Sequence, residues 1–113
     1  LVYSMPGEKY IKELTHTKAM GNLAIKMVRE SVNSFINNDA KLADEVIALD
    51  DKMDELFDTV KTELIELIKK DGNNGDQGIE LMMVAKYLER IGDHAVNVAE
   101  WTKYNETGVH QKF

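Results

Sequence analysis

From Glu8 to Lys70 the sequence contains no proline and one glycine, Gly21. Apolar residues return every three or four positions along it, and nowhere do they alternate as a half-buried strand requires. Long helices are what such a pattern can build. In the first, Ile11, Leu14, Gly21, Ile25, Val28, Val32 and Phe35 keep a heptad spacing, with Lys18 in one slot. Met20, Ala24 and Met27 widen its apolar face enough to suit two neighbours. Asn37 and Asn38 can end this helix, and Asp39 can cap the next. The second carries Leu42, Val46, Leu49, Met53, Leu56, Val60, Leu64 and Leu67, with Lys69 and Lys70 at the end favoured by the helix dipole.

Asp71 to Gly78, DGNNGDQG, is a connector without an apolar residue, and Asp76 is its expected N-cap. A third helix follows with the seam Leu81, Val84, Leu88, Ile91, Ala95, Val98 and Thr102. Gly92 inside it costs about 1 kcal/mol relative to alanine, which predicts close approach of a neighbouring helix or backbone. Gly108 is its expected stop. The fold class is therefore all-α, an antiparallel up-down-up bundle with helices over about 8–37, 39–70 and 77–107. The single domain covers 8–108, preceded by a lead-in segment, 1–7, and followed by a tail, 109–113. A second apolar face on the third helix, Met83, Tyr87 and Trp101 with His94 among them, calls for another bundle to cover it. The chain begins with Leu1, which suggests a fragment, a processed product or an incompletely recorded chain.

Composition removes several functions. Twenty acidic residues against fourteen basic give a formal charge of −6, without the basic patch that nucleic acid demands. There is no cysteine, so thiolate metal sites and disulfides are excluded. No apolar run reaches the roughly 20 residues of a membrane span, and no signal peptide is visible. Ser4, Ser31 and Ser34 have no adjacent histidine pattern, and no glycine loop could cradle a phosphate, so an enzyme is not supported.

The chemistry is in two acidic rows. Asp50, Asp54 and Asp58 lie within about 80° on the second helix, and Glu89, Asp93 and Glu100 within about 40° on the third, with Asn97 beside them. Counting from Asn73, Asp54 lies nineteen residues before the turn and Asp93 twenty after it. Asp50 and Glu89, at twenty-three and sixteen, complete two carboxylate pairs at one level, within roughly 10 Å. Oxygen donors with few histidines favour hard or borderline cations. Residue types alone favour two solvated faces, and Glu89 and Asp93 point away from their helix's seam, so the rows could face different grooves. Glu13 and His16 have the Glu-x-x-His spacing of carboxylate-bridged di-iron bundles, but no second such pair exists. His94 reads as an interface or partly buried histidine, and the six methionines as gap-filling core.

VAKYLERIGDHAVNVAEW, Val84 to Trp101, closely resembles the third-helix signature of the PhoU family. ALDDKMDELFD, Ala48 to Asp58, is similar to that family's Asp-x-x-x-Asp helix, and Ala19 to Asp39 to its first helix. The family is built from two three-helix repeats, and this chain resembles the C-terminal one. It is then an excised repeat or pairs with a copy of itself. The resemblance implies a cytoplasmic accessory protein of phosphate homeostasis. Its partners would be the ATPase of the Pst phosphate transporter and the phosphate-responsive sensor histidine kinase, both restrained when phosphate is plentiful. It also implies iron or zinc at Asp50, Asp54, Glu89 and Asp93, with Asp58, Asn97 and Glu100 secondary. With the resemblance, metal binding becomes the preferred reading. The alternatives are a metal-free dimerising bundle with no phosphate role and, less supported, a metal-dependent enzyme.

Overall fold

The computed structural model describes residues 11–112, with side-chain surroundings for 15–105. The expected lead-in segment and the start of the first helix at residue 8 lie outside the described residues. Three helices, α1 (Ile11–Asn37), α2 (Ala40–Lys70) and α3 (Gly75–Lys112), run up, down and up, and each packs against the other two. No strand occurs among the described residues. The bundle is a rod of 60 × 20 × 16 Å. None of its helices is long and apolar enough to cross a membrane.

The first turn forms where the asparagines and Asp39 predict it. Asn38 takes a positive φ of 55°, which asparagine tolerates better than most residues. The Asp39 N–H then donates to the Ser34 carbonyl at 2.8 Å and the Asn38 N–H to Phe35 at 3.3 Å, the paired bonds of a Schellman ending. Asp39 caps α2 by accepting from the Leu42 N–H at 3.0 Å.

The second connection differs in detail from its expectation. Asp71, rather than Asp76, is the capping residue: its side chain accepts from the Asn73 N–H at 2.9 Å and starts a 3-10 turn, Gly72–Asn74. Buried Asn74 donates through Nδ2 to the Leu67 carbonyl at 2.9 Å, which also accepts from the Asp71 N–H at 3.4 Å, so the end of α2 is doubly bonded. Asp76 sits inside the first turn of α3, where a negative charge suits the helix dipole. At its far end α3 stays helical past Gly108 to Lys112, so the expected stop and tail are not seen there. A single helical glycine costs only about 1 kcal/mol and no proline follows it, so nothing forces a break.

The core shows which apolar stripes won. In α2, Val46, Met53, Val60, Leu64 and Leu67 are buried as the heptad predicts. In α1 the stripe one position earlier than the expected seam goes inside: Thr17, Met20, Ala24, Met27, Ser31 and Ser34. Ile25, Val28, Val32 and Phe35 remain 39–58% exposed. Both stripes have helical spacing, and the inner one is narrower. It meets small buried residues of α3: Met27 Sδ lies 3.5 Å from where a Gly92 Cβ would stand, and Ser34 Oγ lies 3.3 Å from Thr102 Oγ1. The buried hydroxyls are satisfied: Ser31 donates to Val28 O at 2.9 Å, Ser34 to Ser31 O at 2.7 Å and Thr102 to Val98 O at 3.1 Å. Gly92 is buried against side chains rather than backbone. A Cβ there would stand 3.4 Å from Met53 Cε and 3.5 Å from Met27 Sδ. The tighter glycine is Gly78, where a Cβ would meet Ile68 Cδ1 at 2.7 Å.

Candidate functional site

The groove between α2 and α3 collects the acidic residues, because antiparallel packing about the Asp71–Gly75 turn sets equal counts along the two helices level with each other. Asp50 is partly buried and Asp54 exposed on α2; Glu89 is partly buried and Asp93 exposed on α3. The rows face one groove. Burial first, and then the charges of Asp54, Asp93, Asp51 and Glu89, push the Asp50 carboxyl above the ordinary carboxylate range. Asp54 is raised likewise by burial and by Glu89, Asp93, Asp51 and Asp58. Asp50 Oδ1 is buried without a hydrogen-bond partner. An unpaired buried carboxylate oxygen among like charges is costly, and a cation is what would relieve it.

One cation already reaches into this groove. Lys86 of α3 extends its ammonium to Glu89 Oε1 at 3.0 Å and lies 5.3 Å from the centre of the Phe57 ring on α2. The sequence signal for Lys86 was slight, since its i,i+3 relation to Glu89 is common on any helix and its reach to Phe57 depends on the fold. Among the secondary candidates, Asp58 is close enough to act on Asp54. Asn97 instead lines a hollow with Phe35, Val98 and Trp101, on the α1 side of α3. Glu100 is exposed.

The donor set is all oxygen, one of them buried without a hydrogen-bond partner, and so fits a hard or borderline cation chemically. It is loosely assembled: among the described residues, no three His, Asp or Glu side chains converge on one point. The Glu-x-x-His reading has a different outcome. His16 Nδ1 pairs with Glu63 Oε1 of α2 at 2.7 Å, and the Glu13 side chain lies outside the described surroundings. His94 is exposed in this chain, as are Met83, Tyr87 and Trp101.

Comparison with known proteins agrees with this frame. The family model described as the PhoU domain matches residues 17–102. A Clostridium acetobutylicum protein described as a phosphate-specific transport system accessory protein PhoU homolog is 34% identical over 102 residues, 90% of this chain and 47% of that protein. The Xylella fastidiosa (strain 9a5c) protein of the same description is 39% identical over 83 residues, 74% of this chain and 35% of the relative. A Thermotoga maritima PhoU homolog 1 is 31% identical over 102 residues, 90% of this chain and 43% of its own length. The chain therefore spans less than half the length of these curated relatives. With three helices in the expected order and a family match running from the start of the α1 core to Thr102, the chain belongs to the PhoU domain family.

Proposed function

We propose that the chain is a regulatory adaptor of phosphate homeostasis. In this reading it restrains the Pst phosphate transporter, through the transporter's ATPase, and the phosphate-responsive sensor histidine kinase. Its place of action would be the cytoplasm. The support is family membership together with the accessory role in phosphate-specific transport given in the relatives' names. The observation that carries the site is the orphaned Asp50 Oδ1 among Asp54, Glu89 and Asp93 in the α2–α3 groove.

Asp50, Asp54, Glu89 and Asp93 would hold iron or zinc, with Asp58 nearest among the secondary residues. The bound ion would supply positive charge that offsets the carboxylate repulsion. The helices hold the four side chains at one level and present an acidic surface to a basic patch on the partner. Lys86 competes for Glu89 and weakens that surface until it is displaced. The chain would act by occupying a partner, with no reaction of its own. The test is Asp50→Ala with Asp93→Ala: loss of both metal and partner binding is expected, and retention of both would refute the reading.

A second reading is a metal-free dimerisation module with no phosphate role. It is favoured by the absence of three converging ligands among the described residues and by the cation that Lys86 already supplies. Metal content separates the two.

A further inference from the structure

Lys86 is seated in the acidic groove by two contacts, one on each wall. Its ammonium lies 3.0 Å from Glu89 Oε1 on its own helix and 5.3 Å from the centre of the Phe57 ring on α2. The register is that of the carboxylates. Phe57 stands sixteen residues before Asn73 and Lys86 thirteen after it, an offset of three. Asp54 with Glu89, at nineteen and sixteen, and Asp50 with Asp93, at twenty-three and twenty, keep the same offset. The charges felt across the groove agree: of the α3 residues, Glu89 acts most strongly on Asp54 and Asp93 on Asp50. Three rungs therefore span α2 and α3, two of them acidic and one an ammonium against an aromatic ring.

The third rung bears on which cations can enter the other two. A tethered ammonium occupies Glu89 without the loss of translational freedom that a free ion suffers. A sodium or potassium ion brings the same single charge and gains nothing by replacing it. An ion of two or more charges attracts Asp50, Asp54, Glu89 and Asp93 more strongly than the ammonium does, and repels Lys86. Lys86 has somewhere to go. Its side chain is 61% exposed, and it also borders Met83, Tyr87 and Arg90.

We propose that Lys86 is the specificity-determining residue of this groove, a built-in counter-ion held on Glu89 by Phe57, which shuts out monovalent cations and yields to multivalent ones. The inference deepens the metal reading of the α2–α3 groove and rests on it. While Lys86 is seated it engages Glu89, and among the described residues no three His, Asp or Glu side chains converge. The looseness of the donor set is the seated state of this filter. Release of Lys86 frees Glu89 to join Asp50, Asp54 and Asp93.

The test uses the 113-residue chain with zinc as the probe. In chelator, the Lys86 ε-methylene signals should stand upfield in NMR spectra, shifted by the Phe57 ring, and Phe57→Leu should abolish that shift. Zinc should move them to the position of a free lysine, and chelator should reverse the change. Lys86→Met keeps the length and loses the charge, and the exposed position spares the fold. It should bind zinc about tenfold more tightly than the wild type in calorimetry. Its zinc affinity, unlike the wild type's, should be lower in potassium chloride than in tetramethylammonium chloride of equal ionic strength. The filter is overturned, and the metal reading left standing, by equal zinc affinity in the two chains, by indifference of Lys86→Met to potassium, or by Lys86 signals that do not move when zinc binds. No zinc uptake by either chain refutes both.

Discussion

Helix α3 borders two grooves of opposite chemistry. On the α2 side it presents Glu89 and Asp93 to Asp50 and Asp54; on the α1 side it presents Leu88, Ile91, Val98 and Trp101 to Ile25, Val28 and Phe35. Water manages the first, since exposed carboxylates are well solvated, and only the buried Asp50 Oδ1 is left wanting. Water manages the second poorly, because large apolar residues gain by leaving it. One groove asks for a cation and the other for a surface. A chain with only one of them would need only one kind of partner.

Substitutions can probe each groove separately. The largest effect should come from beneath both. Met53 is fully buried and reaches Gly92 in the layer shared with Met27. Met53→Ala should cost about 3 kcal/mol in urea denaturation and disturb both grooves together. Gly21→Ala touches the apolar side alone. It should stabilise the chain by about 1 kcal/mol, seen as a higher unfolding midpoint in urea, because no neighbouring atom stands within 4 Å of the new Cβ. Lys86→Ala touches chiefly the acidic side, although Lys86 also borders Met83 and Tyr87. Losing the contacts to Glu89 and Phe57 should cost about 0.5 kcal/mol without metal while easing cation uptake in a calorimetric titration.

Asp50→Asn should have the smallest effect and the opposite sign, stabilising the metal-free chain at pH 7 by about 0.3 kcal/mol. Its signature is pH dependence. The folded Asp50 and Asp54 carboxyls are raised, so the native state holds protons that the unfolded chain releases. Their contribution to stability is present below the ordinary carboxylate pKa, about 4, and is lost as pH rises through the raised values. Thermal midpoints of metal-free protein across that window should fall less steeply in Asp50→Asn than in the wild type.

The helices and the first turn were legible because the signals are local: heptads, the absence of breakers, and the Asn37-Asn38-Asp39 run that became a Schellman ending and a cap. The level of the four carboxylates was legible by counting residues from the connector. The rotation of α1 was not. Its two stripes lie one residue apart, and hydrophobicity favours Ile25, Val28 and Val32, whereas close packing against Gly92 and Thr102 turns Met27 and Ser34 inward. That the acidic rows share one groove also awaited the fold, because a wheel angle does not say where the neighbouring helix lies. Gly78 looked like turn composition, and its contact with Ile68 depends on how α3 returns beside α2.

The most direct measurement is elemental analysis of the purified chain, with its mass in solution determined on the same sample. Stoichiometric iron or zinc is expected, lost in Asp50→Ala with Asp93→Ala, while the mass in solution stays that of the wild type. A chain that takes up neither metal when both are supplied, or a double variant that keeps its metal, would contradict the assignment of the α2–α3 groove.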